Sequence, residues 1–135
     1  MGPVACGFLL VSALVIQSGC SGRDQLAPQA SPDGRFTLTP SLHEGTLIRL
    51  AVQERSTGKL IDEVKTRDTD AMKWVTGWID DTSYLFWGAD TGTAWVRHLN
   101  GTNVTESPLQ GPPCRRLEQL FESKYDERRS NCLNP

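Results

Sequence analysis

No apolar run in this sequence is long enough to cross a lipid bilayer. The longest, GFLLVSALVI over residues 7–16, covers about ten positions, and no charged side chain occurs between Met1 and Gly19. A membrane-spanning helix needs about 20 apolar residues, whereas the core of an export signal needs about 7–15. The length therefore predicts a removable signal peptide over residues 1–19, with a buried N-terminal helix as the alternative.

The sequence also has no excess of charge of either sign. Its 16 acidic and 14 basic residues are scattered along the chain after residue 20 and do not gather in runs. Binding to nucleic acid and adhesion to anionic membranes both depend on clustered basic residues. The composition therefore predicts neither a nucleic-acid partner nor a polybasic contact with a membrane.

Recognisable catalytic motifs are missing as well. The sequence has no nucleophile elbow and no glycine-rich phosphate loop. His43 and His98 have no further ligand at metal-binding spacing. Asp80, Asp81 and Asp90 fit turn chemistry better than a calcium site or a carboxylate pair. We predict that the chain is not an enzyme and that it binds no metal or cofactor.

Cysteine is scarce, and only two of the four cysteines are expected to be available for pairing. Cys6 would leave with the signal peptide, and Cys20 lies at the end of the apolar segment in the stretch SGCSG. Cys114 and Cys132 remain. In an exported protein such a pair favours a disulfide, and two cysteines are too few for a structural zinc site.

The stretch around Cys20 resembles a bacterial lipobox, in which the cysteine becomes the lipidated first residue of the mature protein. The resemblance implies an envelope lipoprotein that faces the periplasm and is held at a membrane by its lipid. The alternative is an ordinary secretory signal cleaved between Gly19 and Ala30, which would leave a soluble exported protein.

The residues after the signal suit one domain, about 116 long. Residues 20–31 are polar and aperiodic and are predicted to form a tether, so the globular domain is expected over 32–135. Alternating patterns predict a hairpin of 46–54 with 59–64 and a three-stranded meander of 74–79, 84–89 and 93–99. Because 84–89 is apolar on both faces, it is predicted to be a central strand, and NGTNVT over 100–105 is predicted to be a polar loop.

A helix is predicted from about Cys114, where Leu117, Leu120, Phe121 and Tyr125 recur at helical spacing. A straight helix as far as Cys132 would separate the two cysteines by about 27 Å, too far for a disulfide. The helix is therefore expected to stop near Lys124. The predicted fold class is mostly β, a single antiparallel sheet or small sandwich of about 5–7 strands with one C-terminal helix, and the single sheet is favoured.

Two stretches, SPDGRF over 31–36 and residues 78–101, resemble the strand–turn–strand rhythm of propeller blades in TolB and related WD40-type proteins. Asp33 and Asp81 occupy similar turn positions in them. The resemblance implies blade-like hairpins. Because a propeller typically needs at least four blades of about 40 residues and the chain has room for about two, a standalone sheet is expected.

The four tryptophans are predicted to be mostly core, with an aromatic binding platform as the alternative. We predict that a protein partner binds the turns 80–83 and 90–93, with Asp81 and Asp90 as polar contacts and Trp87 and Trp95 as anchors. The predicted function is that of an envelope lipoprotein that binds or inhibits a protein partner, in the manner of an immunity protein. The alternative is a non-inhibitory assembly or structural accessory of the envelope.

Overall fold

A computed structural model describes residues Leu26–Arg128. The predicted signal peptide, Cys20 and Cys132 lie outside this range. The elements, in chain order, are β1 (Gln29–Ala30), β2 (Phe36–His43), β3 (Leu47–Glu54), β4 (Leu60–Thr69), β5 (Trp74–Trp78), β6 (Ser83–Gly88), β7 (Thr93–Asn100), β8 (Asn103–Pro108) and α1 (Pro113–Tyr125). Among the described residues, no helix has the length and apolarity needed to span a membrane.

The strands form two four-stranded antiparallel sheets, each a simple meander. The first sheet has the order β1-β2-β3-β4 and the second the order β5-β6-β7-β8. The mostly β class with a C-terminal helix is therefore confirmed. Of the two arrangements that the sequence leaves open, the chain adopts the two-sheet one, because the alternating apolar residues of both meanders need a shared core.

That core lies between the two sheets. The first sheet contributes Phe36 and aliphatic side chains of β2 and β3, and the second contributes mainly aromatic ones. Buried members include Phe36, Leu38, Ile48, Leu50, Val52, Trp74, Trp78, Tyr84 and Phe86. Trp95 joins them, with ring centroids 5.7 Å from Tyr84 and 5.5 Å from Phe86. Aromatic rings at these separations attract one another in addition to the apolar area that they bury.

The second sheet has a second apolar face, and α1 covers it. Val75, Leu85 and Val96 of the strands pack with Leu117 and Phe121 of the helix. Pro113 occupies the first position of the helix, where its missing N–H costs nothing. Because β6 has helix on one side and the first sheet on the other, its prediction as a central strand is confirmed.

The helix ends within one residue of the predicted position, Lys124. α1 stops at Tyr125, and Asp126 follows in the left-handed conformation with φ 57°. Cys114, in the first turn, is disulfide-bonded. Its partner is one of the three cysteines outside residues 26–128, so pairing with Cys132 stays a prediction.

Three sequence predictions need correction. Residues 26–128 form eight strands, against about 5–7 expected. One additional strand is β8, which occupies part of the predicted polar loop. It is an exposed edge strand with one neighbouring strand, and this explains its polar side chains. Residues 26–31 belong to the fold and not to a tether, since Leu26 packs on the core and Gln29–Ala30 pairs with β2.

Candidate functional site

The two turns predicted to bind a partner lie at opposite ends of the molecule. Residues 79–82 connect β5 to β6 and residues 89–92 connect β6 to β7, so the six residues of β6 separate them. A strand of that length spans about 20 Å. Asp81 and Asp90 therefore lie at opposite ends of the strand, and one compact surface does not contain both predicted contacts.

The turns lie at two opposite ends of the molecule. The Lys124 end carries the β2–β3 turn, the β4–β5 loop, the β6–β7 turn and the C-terminus of α1. These are joined by hydrogen bonds such as Asp70 N–H to Thr46 O and Thr69 N–H to Asp90 Oδ2. The opposite end, here the Asp81 end, carries the β1–β2, β3–β4, β5–β6 and β7–β8 turns.

The acids of these turns serve local structure to different degrees. Asp80 Oδ1 accepts a hydrogen bond from Thr82 N–H at 3.0 Å, which is the turn chemistry expected of it. Asp90 Oδ2 accepts one from Thr69 N–H at 3.2 Å and so joins the β4 terminus to the β6–β7 turn. Asp81 is exposed. Asp90 thus stabilises the fold, while Asp81 is open to solvent.

The two proposed tryptophan anchors have different surroundings. Trp95 is 8% exposed and packs in the core between the sheets, so it is not an anchor. Trp87 lies half-buried on the helix side of β6, with its ring edge-to-face against Phe121 at 5.5 Å. Part of the Trp87 side chain stays available at the surface, beside α1.

A buried ionic cluster joins the two sheets. Arg97 of β7 donates two hydrogen bonds to the Asp62 carboxylate of β4, at 2.8 and 2.9 Å, and Tyr84 donates a third at 2.7 Å. Burial alone would raise the pKa of Asp62, but the bonds from Arg97 and Tyr84 outweigh it and hold that pKa below its usual value. Burial beside Asp62 raises the pKa of Tyr84. The cluster acts as an inter-sheet clasp.

A second buried carboxylate, that of Asp68, also accepts hydrogen bonds within the fold. Its oxygens accept hydrogen bonds from the Thr91 backbone N–H and hydroxyl at 2.9–3.0 Å. A Cβ at Gly88 would lie 2.4 Å from Asp68 Oδ1, so only glycine lets the strand approach this closely. Asp68 therefore fixes the β6–β7 turn against the end of β4.

His98 bridges three strands. Its Nδ1 lies 3.0 Å from Ser83 Oγ and its Nε2 lies 3.1 Å from Ser107 Oγ. Ser83 is 6% exposed, which leaves no access for a substrate to a serine nucleophile. His43 contacts the Thr66 carbonyl at 3.1 Å. Both histidines are strand residues, and among residues 26–128 no group of three His, Cys, Asp or Glu side chains is placed to hold a metal ion.

An open cleft of about 270 Å³ lies where β1, β5 and α1 meet. Its lining residues are Ala27, Gln29, Trp74, Val75, Thr76, Leu120, Ser123 and Lys124. The floor is the free edge of β5, whose carbonyls accept hydrogen bonds from side chains and not from another strand. Lys124 Nζ and the Tyr125 hydroxyl bond Trp74 O, and Gln29 Nε2 bonds Thr76 O.

Lys124 is the chemically unusual residue of this cleft. Its Nζ is 2.6 Å from Trp74 O and 3.4 Å from the centroid of the Trp74 ring. Burial lowers the pKa of Lys124 to about 7, against a partial opposing effect of Asp70. A buried ammonium is poorly solvated, and contacts with a carbonyl dipole and an indole face replace only part of its hydration.

The sequence analysis did not find Lys124 as a functional residue, although a signal was present. Lys124 follows Leu117 by seven positions and Phe121 by three, so it lies on the apolar stripe of α1. A basic residue on the buried stripe of an amphipathic helix indicates a specific partner for its charge.

Comparison with protein-family models, with curated protein sequences and with solved structures finds no match to this chain.

Proposed function

We propose that this protein is an exported envelope lipoprotein that binds or inhibits a protein partner through the Lys124 end. The observation that carries the proposal is the cleft at β5, where a partly buried lysine lies beside a strand edge that no other strand of residues 26–128 covers. Met72 of the β4–β5 loop, at the same end, is 47% exposed. Asp70 and Lys73 belong to that loop, and Asp90 belongs to the β6–β7 turn. An exposed apolar side chain with a polar rim is typical of protein interfaces.

Three polar side chains outside the cleft form hydrogen bonds that stabilise the fold, which supports assigning the binding role to the Lys124 end. Asp62, Asp68 and His98 are held by neighbouring side chains within the fold. Their hydrogen bonds join strands or sheets, so these residues stabilise the fold as a rigid scaffold. A rigid scaffold that presents a cleft and adjoining loops is suited to recognition.

The position of the fold relative to Cys20 supports action close to a membrane. Leu26 packs on the core, so at most the five residues 21–25 would separate a lipidated Cys20 from the domain. Five extended residues span at most about 18 Å. A lipid on Cys20 would therefore hold the domain near the bilayer surface, with Ala27 and Gln29 of the cleft a few residues further along.

A first experiment tests the anchor. We expect the wild-type protein to fractionate with membranes and the Cys20→Ala variant to be released, because one thioether-linked lipid group at Cys20 is the proposed attachment. Ser21→Ala serves as the matched control and should remain membrane-bound. A soluble wild type, or a mature N-terminus downstream of Cys20, would contradict the lipoprotein assignment.

A second experiment tests partner binding and its location. The protein is used as bait in envelope extract, and binding to the recovered partner is measured for Met72→Ser at the Lys124 end and Asp81→Ala at the opposite end. We expect at least a tenfold loss for Met72→Ser and no change for Asp81→Ala. The reverse pattern would move the interface to the Asp81 end.

The same bait separates the two kinds of binding role. If the recovered partner is an enzyme or toxin whose activity falls when this protein is added, the role is inhibitory. The alternative, a non-inhibitory assembly accessory, predicts a partner from the envelope machinery whose activity is unchanged by the complex.

A further inference from the structure

The ammonium of Lys124 has no counter-ion within the described part of the chain. The ion pairs formed there join Arg49 to Glu63, Lys73 to Glu127, Arg97 to Asp62 and Glu106, and Arg128 to Glu122. None includes Lys124, although its side chain is partly buried. Buried charges in proteins are normally paired, because burial removes the water that would otherwise stabilise them.

The indole beneath Lys124 carries a second donor without an acceptor. Trp74 is 1% exposed, and its Nε1 is the one buried side-chain nitrogen or oxygen of residues 26–128 that has no hydrogen-bond partner. Lys124 Nζ lies over the face of this same ring. Most buried polar atoms are bonded, so this N–H is an unused donor on a residue that lines the cleft.

The remainder of the cleft supplies no negative charge. None of its lining residues is acidic, and Gln29 already uses its amide N–H on the Thr76 carbonyl. Asp70 acts on Lys124 only from the neighbouring loop, without an ion pair. The site therefore offers a cation, held over an indole face, to a ligand that would provide the negative charge.

We infer that the cleft binds a carboxylate presented by the protein partner, either an Asp or Glu side chain or a C-terminal carboxylate. The carboxylate would bond the Lys124 ammonium beside the Trp74 indole, whose N–H resonance would report the change in charge nearby. The inference rests on the proposed function and specifies the partner's chemistry. A volume of about 270 Å³ falls below the usual small-molecule range of about 300–1,000 Å³, which suits a single group carried by a larger molecule.

The inferred site predicts a pH dependence. Lys124 must be protonated to bind an anion, and it loses its proton with a pKa of about 7 in the free protein. The charged or titratable groups around it are Asp70 of the β4–β5 loop, Tyr125 of α1 and the Lys73–Glu127 pair. Affinity for a carboxylate should therefore fall above pH 7, by up to about tenfold per pH unit.

The test uses full-length, ¹⁵N-labelled protein in detergent micelles and acetate as the probe, with chloride at equal ionic strength as the reference. We expect acetate at pH 6 to shift the Trp74 indole N–H resonance saturably, and to bind about 100-fold more weakly at pH 9. Lys124→Met should lose at least tenfold in acetate affinity. Lys73→Met, which removes a neighbouring ion-paired lysine, should retain it.

Two results would overturn the inference. One is the absence of any acetate-dependent Trp74 shift at pH 6, and the other is an equal shift in Lys124→Met. Should that variant unfold, the pH profile of the wild type decides instead, and a flat profile would also overturn it. A captured partner that binds Lys124→Met normally refutes this inference alone, whereas acetate binding without any partner refutes the proposed function alone.

Discussion

The two sheets have the same topology, but their outer faces differ in polarity. Each is a meander of four antiparallel strands, and the first turn of each has an aspartate that accepts a hydrogen bond from the backbone two residues on: Asp33 from Arg35 N–H and Asp80 from Thr82 N–H. The third turns also match, since Gly58 and Gly101 both have positive φ. The repeated turn is therefore at Asp80 and not at Asp81.

The outer faces then determine where the helix goes. The outer face of the first sheet carries polar side chains, paired across strands as Thr37 with Gln53 and Ser41 with Arg49. The second sheet would expose Val75, Leu85 and Val96, which α1 covers. An apolar face left in water is unfavourable by about 25 cal/mol per Å², so only the second sheet needs the helix.

The largest expected effect comes from uncovering the second sheet. Phe121→Ala should lower the free energy of unfolding by about 3–5 kcal/mol, because Phe121 is 1% exposed and its loss leaves a cavity over β6. The control is Thr39→Ala on the outer face of the first sheet, with an expected change within about 0.5 kcal/mol. Urea denaturation measures both, and similar losses would remove the contrast between the two faces.

The next largest effect tests the clasp between the sheets. Arg97→Met should cost about 3–4 kcal/mol in denaturant unfolding, because it leaves the Asp62 carboxylate buried without its cation. Arg49→Met, which breaks the more exposed Arg49–Glu63 pair on the first sheet, should cost less than about 1 kcal/mol.

The clasp also has a pH signature with a definite sign. Since the folded pKa of Asp62 is lowered, its contribution is present above the ordinary pKa of 3.8 and is lost as pH falls through the folded value. Acid unfolding should therefore become less steep in Arg97→Met. An unchanged acid transition would mean that other carboxylates dominate it.

The disulfide of Cys114 has no counterpart on the first sheet. Reduction, or Cys114→Ser, should lower stability by about 3 kcal/mol if the bond closes the 18-residue step to Cys132. The measurement is thermal unfolding with and without reductant, together with non-reducing mass spectrometry of a digest for the pairing. A Cys114 peptide linked to another cysteine would contradict the predicted connectivity.

The smallest expected effect concerns the edge of the second sheet. The folded pKa of Lys124 is about 7 against an ordinary 10.5, so between these values the unfolded chain binds more protons and stability should rise with pH. Partial exposure should keep the slope well below about 1.4 kcal/mol per pH unit. Comparison of unfolding free energies at pH 7 and 10 in the wild type and Lys124→Met checks this, and equal slopes would contradict it.

Sequence periodicity determined much of the local structure. Alternation predicts β3 and the β5–β6–β7 meander, apolar residues on both faces predict the central place of β6, and the spacing of Cys114 and Cys132 predicts the early end of α1. It does not reveal β8, because an edge strand with a solvated face has no apolar alternation. Pro40 likewise obscures β2, yet β1 pairs only with Thr37 and Leu38, so Pro40 lies at a sheet edge.

The candidate site was predicted less well, because residues that are close in the sequence lie far apart in the fold. Asp81 and Asp90 are nine residues apart in sequence, but the reversal at each turn of the meander sends them to opposite ends. Trp95 and Trp87 differ by eight positions, but one lies between the sheets and the other beside the helix. Neighbouring positions in sequence therefore do not define one surface.

The sequence by itself determined which residues form strands and helix, because side-chain periods of two and 3.6 are local properties of the backbone. Only the tertiary structure decided that Arg97 meets Asp62 across 35 positions and that Lys124 meets Trp74 across 50. Such contacts depend on which sheet faces pack together, and that choice minimises exposed apolar area over the whole chain. No local pattern contains that information.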